Sequence, residues 1–381
     1  MSILLNPDIA LLFAEHTNDV ASLSALMRTC RGMNSLIGTH EQSIVKAKLT
    51  QRGGGGSPLL VSPLGTALSS VGPEREVLAP HTFAVVQELE MRARRIDVLF
   101  QDNKPLRLAI DAARPFKALP AGEVEQLIQG LKRACRLADR LGDCVAEVML
   151  LAESEMVQSA GNDDDAPCLT ADPRSTMRKA HLAQLAFLHA LPALDLAYLA
   201  HLAALGGMAY ANAYPDHMAD PAAWEHLVAI KEVLLRQGTM ALWAWFQPAA
   251  AAPGSLAAGV VGAILGGSNS SSSSIRAPEK TTALTRFLDL ATAGVMDEIR
   301  VWDMGGGGQE DDDDDDDDDD DGSEDEVDNQ GGQTLPPGLH MTLHEAFSHA
   351  SGRAKSRARI EIDMLVLSDI RGSGRGGHEY E

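Results

Sequence analysis

Apolar residues recur every three or four positions over long stretches of this chain. That spacing puts them on one face of an α-helix and narrows the fold to helices packed on helices. From Thr82 to Phe100, Val85, Val86, Leu89, Ile96 and Leu99 line one side, with Arg92, Arg94 and Arg95 interrupting them. A second helix is expected from Pro105 to Phe116. Pro120 to Ser154 reads as one long helix or two, with Glu123, Lys132, Arg133 and Asp139 on its exposed face. Ser175–Ala190 and Leu194–Leu205 are apolar nearly all round, which predicts central burial, and Gly206-Gly207 is expected to end that pair. Asp220-Pro221 supplies a cap and a first-turn proline for a helix reaching about Trp245, with Trp224, Leu227, Ile230 and Trp243 turned inward. Pro278–Asp303 is a further amphipathic helix. Leu339–Arg371 reads as a last helix, although the alternation of Ile360, Ile362, Met364 and Val366 also fits a strand.

The residue mix agrees. Apolar residues make up 45% of the 381 and aromatics only 4%, so the core is built from Leu, Ala, Val and Ile, which favour helix. The expected class is all-α. Four cysteines (Cys30, Cys135, Cys144 and Cys168) have neither zinc-site nor redox-pair spacing and read as free thiols of a reducing, cytoplasmic or nuclear setting. Met1–Phe13 lacks the basic start and cleavage site of a secretory signal. Pro248–Gly267 is apolar, but Pro253, Gly254, Gly259 and Gly262 argue against a membrane helix and for a buried or loosely ordered insert.

The net charge of −22 comes mainly from one place. Glu310–Asp328 holds 16 acidic residues and no Lys or Arg, including eleven consecutive aspartates from Asp311 to Asp321. Without it, 38 acidic residues face 32 basic ones. The remainder is mildly acidic and offers no electrostatic case for nucleic acid. Such a run repels itself and buries nothing, so 304–337 reads as a disordered acidic linker.

The amino end carries denser punctuation. Asn6 suits an N-cap, Pro7 the first helical position, and Asp8 the positive end of the helix dipole. Ile9, Leu12, Phe13 and His16 then share one face. Asp19 caps a second helix in which Leu23, Leu26, Met27 and Cys30 repeat the spacing. A third segment, Met33–Leu49, adds Leu36, Ile37, Ile44 and Val45. Some fifty residues are too few to bury all these side chains, so the surplus must meet the rest of the chain or a partner.

Pro7-Asp8-Ile9, then Asp19-Val20 with Leu23 and Leu26, then Thr29-Cys30-Arg31, resemble an F-box in the diverged form that opens many fungal F-box-like proteins. The family pattern is Leu-Pro-x-Glu-Ile, Asp-Leu-x-x-Leu and a closing Cys-Arg. Here Asn6 and Val20 replace leucines and the later Trp is absent. The resemblance covers about an eighth of the chain. It implies docking on a Skp-type adaptor, and through it a cullin, by Pro7, Ile9, Leu12, Leu23, Leu26 and Cys30, with Leu5 added. It also implies that the body beyond holds an unknown protein substrate and that the chain does no chemistry of its own.

The expected organisation is an F-box-like module over 1–50, a linker over 51–73 rich in Gly, Ser and Pro, a helical domain over 74–303, the acidic linker, and a C-terminal helix with a flexible tail over 338–381. Other motifs carry less. His344-Glu345-Ala346-Phe347-Ser348-His349 misses the zinc-protease spacing by one residue, and its histidines fall about 140° apart on a helix. Asp317 to Asp328 approaches a calcium loop but has Asp in the last place and no flanking helices. Gly372–Gly377 is a single Arg-Gly repeat with no helix after it. His181, His189 and His201 sit among leucines at helical spacing and read as structural. No catalytic, metal or cofactor site is expected. Two rivals to a ligase subunit remain: a helical scaffold in which Ile9, Leu12, Leu23 and Leu26 pack onto 74–245, and an acidic chaperone of basic proteins built on the aspartate run.

Overall fold

The computed structural model describes residues 7–17, 19–52, 58–70, 76–160, 173–213, 215, 223–246 and 338–373. The expectations for the apolar insert, for Pro278–Asp303, for the acidic run and for Leu5, Asn6 and Cys168 fall outside them. The described chain is all-α but for one two-stranded ribbon.

Four short helices come first: α1 (Pro7–His16), α2 (Val20–Met27), α3 (Arg31–Thr39) and α4 (Glu41–Arg52). Then β1 (Ala67–Leu68) pairs antiparallel with β2 (Val77–Leu78), Ala67 opposite Leu78. The body follows as α5 (Phe83–Leu99), α6 (Pro105–Ala112), α7 (Ala121–Ala160), α8 (Pro173–His189), α9 (Ala193–Ala213), α10 (Ala223–Gln237) and α11 (Thr239–Phe246). It closes with α12 (Leu339–Ser351), a 3₁₀ turn (Lys355–Arg357) and α13 (Ala358–Ser373).

The centre is α9, which touches α6, α7, α10, α11, α12 and α13. Among the described residues it is the one helix long and apolar enough to cross a membrane, and most of that stretch is buried by these neighbours. The all-round apolar pattern of its sequence is what such a position requires.

Several local expectations are corrected. Gly206-Gly207 lies inside α9 and does not end it. A Cβ at Gly206 would stand 3.0 Å from a methyl of Leu234 and 3.2 Å from one of Leu242, so this glycine serves the close approach of α10 and α11. The helix expected to run to Trp245 is broken at Gly238, whose φ of +69° turns α10 into α11. Thr239 there donates from its backbone N (2.7 Å) and its hydroxyl (2.8 Å) to Asp139 of α7. Asp139 is therefore interior, not on the exposed face. Trp224, expected inward, is 68% exposed and lies beside Lys231. The last segment is two helices, not one and not a strand: Gly352 closes α12 at φ +66°, and α13 buries Ala358, Ile362, Val366 and Ile370, one per turn.

Residues 58–70, read as linker, are packed in place. Ser62 donates to Glu147 of α7, Leu68 N donates to Asp143 (3.0 Å), and Ala67 and Leu68 are buried. Short polar side chains suit this segment because carboxylates stand ready to accept from them, Glu147 of α7 for Ser62 and Glu88 of α5 for Ser70.

Candidate functional site

The candidate site is the outward face of α1. Which residues face out follows from size. Ala10 and Ala14, one turn apart, are the side chains that α1 buries, and their smallness lets its backbone approach α3 and α4. Ile9, Leu12 and Phe13 are thereby turned to solvent, at 43, 55 and 59% exposure. Three large apolar side chains within five residues of one helix form an exposed patch.

The scaffold beneath is well tied. Leu23, Met33, Ile37 and Ile44 join Ala10 and Ala14 in a small core, with Leu26 and Met27 at its edge. Asp19 accepts from Ser22 N (2.6 Å) and starts α2, and that bond holds its carboxyl below the usual carboxylate range. Cys30 Sγ accepts from Met33 N (3.4 Å) and starts α3. Lys48 of α4 donates to the carbonyl of Thr17 (2.5 Å), fixing the chain as it leaves α1.

The module is also bolted to the body. Glu90 of α5 accepts from Val20 N (3.0 Å), and Glu41 of α4 accepts from Phe83 N (2.7 Å) at the start of α5. Val45 and Leu49 of α4 pack with Val85 and Val86 of α5, and Phe83 touches both this cluster and the small core.

The residues assigned to adaptor contact thus divide. Pro7, Ile9, Leu12 and Cys30 are exposed, and Leu26 is half-buried. Leu23, at 1% exposure, is sealed within the module by Met33, Ile37 and Ile44, so it has no surface to offer a partner and acts as core. Phe13 was legible as a member of the α1 face but not as a contact residue, and it is the most exposed of the three. Replacing Leu23 with Ala should therefore destabilise the chain by at least about 2 kcal/mol, read from urea unfolding. A variant as stable as wild type would place Leu23 outside the core.

A second concentration of chemistry is interior. Arg92 of α5 donates to Glu88 (2.9 Å), forks onto both oxygens of Asp143 (2.7 and 2.8 Å) and reaches the carbonyl of Leu68 (2.7 Å). Arg95 adds a bond to Glu88 at 3.2 Å, and Ser70 donates its hydroxyl to the same carboxylate. Burial pushes the Glu88 carboxyl up, but Arg95 and Arg92 outweigh it and leave it below its ordinary value. Burial likewise opposes the charge of Arg92, and Asp143 more than restores it. Burial leaves the Asp139 carboxyl raised, against the pull of Arg92 and Arg95. Arg92, Glu88, Asp143 and Asp139 find partners here while Arg95 Nε is left without one, and the arrangement is a clamp joining α5, α7, α11 and β1.

His201 is buried against Phe116 with its Nε2 3.3 Å from Asp363, and burial lowers it to about 4. His340 and His344 meet edge to face at 5.8 Å, and His340 is lowered to about 4, by burial first and then by Lys231 and His344. Among the described residues, no group of three or more His, Cys, Asp or Glu side chains is placed to hold a metal ion. Comparison with family models, with curated proteins and with solved structures finds no match to this chain.

Proposed function

We propose that the chain is a substrate-recruiting, F-box-like subunit of a ubiquitin ligase, in which the outer face of α1 docks on a Skp-type adaptor linked to a cullin, and the helical body holds a protein substrate. The observation that supports this reading is the open patch of Ile9, Leu12 and Phe13 at the place where the F-box-like motif predicts an adaptor contact. The subunit performs no reaction. It raises the concentration of its substrate near the charged ubiquitin carrier.

Fully burying an Ile, Leu or Phe side chain is worth about 1.5–3 kcal/mol. About half of each is already covered, so docking the three gains roughly 3 kcal/mol before ordering costs. Replacing all three with Ser should weaken adaptor binding at least about tenfold. Because the covered half of each side chain packs on the module, it should also cost about 2–3 kcal/mol of stability, so binding is compared on protein that circular dichroism shows to be folded. A pull-down in which wild type holds no adaptor, or in which the triple variant holds as much, would rule the reading out.

A second reading has its own support. The contacts of Val45 and Leu49 with Val85 and Val86 make the module part of the body, as in a helical scaffold with no link to a ligase. In that case the same triple variant loses a different partner, identified by comparing what wild type and variant co-purify.

A further inference from the structure

The turn between α12 and α13 is basic. Arg353, Lys355, Arg357 and Arg359 place four cations in seven residues, and all four are exposed. Lys355 pairs with Glu345, and Arg353 lies 3.6 Å from Glu361. Arg357 and Arg359 have no ion pair among the described residues, although the field of Arg359 reaches Asp363 one turn on. It also reaches Lys231, whose protonated form is disfavoured first by burial and then by this charge, and His344, disfavoured first by burial, then by Lys231 and then by Arg359. Positive charge is in surplus at this corner of a chain whose net charge is −22.

The same chain supplies the complement. Eleven consecutive aspartates end at Asp321, and 16 residues separate them from Gly338, where the described chain resumes. Those 16 residues span at most about 55 Å. The 13 residues of α12 carry the chain on by only about 20 Å before the basic turn. The run is therefore within reach of the corner at the far end of α12. A short tether presents it at an effective concentration on the order of millimolar, above any free polyanion that must diffuse in.

We propose that the corner formed by Arg353, Lys355, Arg357 and Arg359 is a docking surface for an acidic polypeptide, and that its resident occupant is the aspartate run 311–321 of the same molecule. An external polyanion then meets an occupied surface. A basic protein that draws off the run vacates it.

The test uses the full chain. A carbodiimide joins the Lys355 amine to carboxylates in contact with it, and the Lys355–Glu345 pair serves as internal standard. At low salt, mass spectrometry of the monomer band should show Lys355 joined to residues within 311–321. That product should fall at least about fivefold near 1 M salt, where charges are screened beyond about 3 Å. It should fall similarly when Arg353, Arg357 and Arg359 are all replaced with Gln.

The second arm uses heparin as the probe. Replacing the eleven aspartates with Asn should raise heparin binding at least tenfold, and adding the three Arg→Gln changes should remove the gain. Only the Lys355–Glu345 product in the monomer, Lys355 products confined to a dimer band, or equal heparin binding by wild type and the Asn variant would each overturn the proposal. Equal binding of a single-stranded RNA by those two proteins would do so too, because nucleic acid would then be the occupant.

Discussion

Arg92→Ala should be the most damaging single substitution in this chain, lowering unfolding free energy by about 3–5 kcal/mol. The residue is encased, and it answers Glu88, Asp143 and the Leu68 carbonyl at once. Removing it leaves Asp143 with the Leu68 N–H and Glu88 with Arg95 and Ser70, two carboxylates facing less positive charge where water cannot reach them. The loss reflects desolvated charge left short of its counter-charge, not the net worth of the ion pairs. Two comparisons identify the cause. Arg92→Lys should recover only part of the loss, because an ammonium cannot fork onto both oxygens of Asp143. Arg92→Ala should also cost far less in an Asp143→Ala background than in wild type. Urea unfolding reads both, and additive single and double variants would show that the clamp is not a unit.

Acid should weaken the fold before most carboxylates titrate. His201 and His340 are held near 4 in the folded chain, against about 6.5 when exposed. Below pH 6.5 the unfolded chain takes up a proton at each site that the folded chain refuses. Stability is therefore complete above about pH 6.5 and is lost as pH falls toward 4, by on the order of 3 kcal/mol per histidine. Burial raises the carboxyl of Asp363 beside His201, which opposes part of this slope. Replacing His201 with Gln and His340 with Asn should flatten stability between pH 6.5 and 4. A double variant with the wild-type slope would assign the acid sensitivity elsewhere.

What the sequence reveals and conceals follows one division. Local periodicity placed α1, α2, α5, α7 and most of α9, because a residue's neighbours three and four positions away decide whether a helix has an apolar face; it left Met33–Leu49 as one segment, where the chain forms α3 and α4. It does not tell which of two such faces turns inward. In α1 the answer lay with Ala10 and Ala14, whose value is the close approach they permit, and the larger Ile9, Leu12 and Phe13 drew attention instead. Trp224 misled in the same way. Nor does local pattern find partners distant in the chain. Arg92 looked like an interruption of a helix because two of its answers, Asp143 and the Leu68 carbonyl, lie 51 and 24 positions away. Asp139 looked like surface because Thr239 stands 100 positions away. Within the candidate site the motif located α1 and α2 but not the interior role of Leu23, which depends on α3 and α4 folding over it.

The bolts between the first four helices and α5 have a mechanical consequence. Glu90 on Val20, Glu41 on Phe83, and the Phe83 ring lodged against both clusters make the first four helices a bracket on the body, not a tag on a string. Whatever seizes the α1 patch therefore sets the compass heading of the entire helical body. Under the proposed function, a substrate held on that body would be swung to a fixed bearing and distance, and it would reach a neighbouring machine only if its own shape closed the remaining gap.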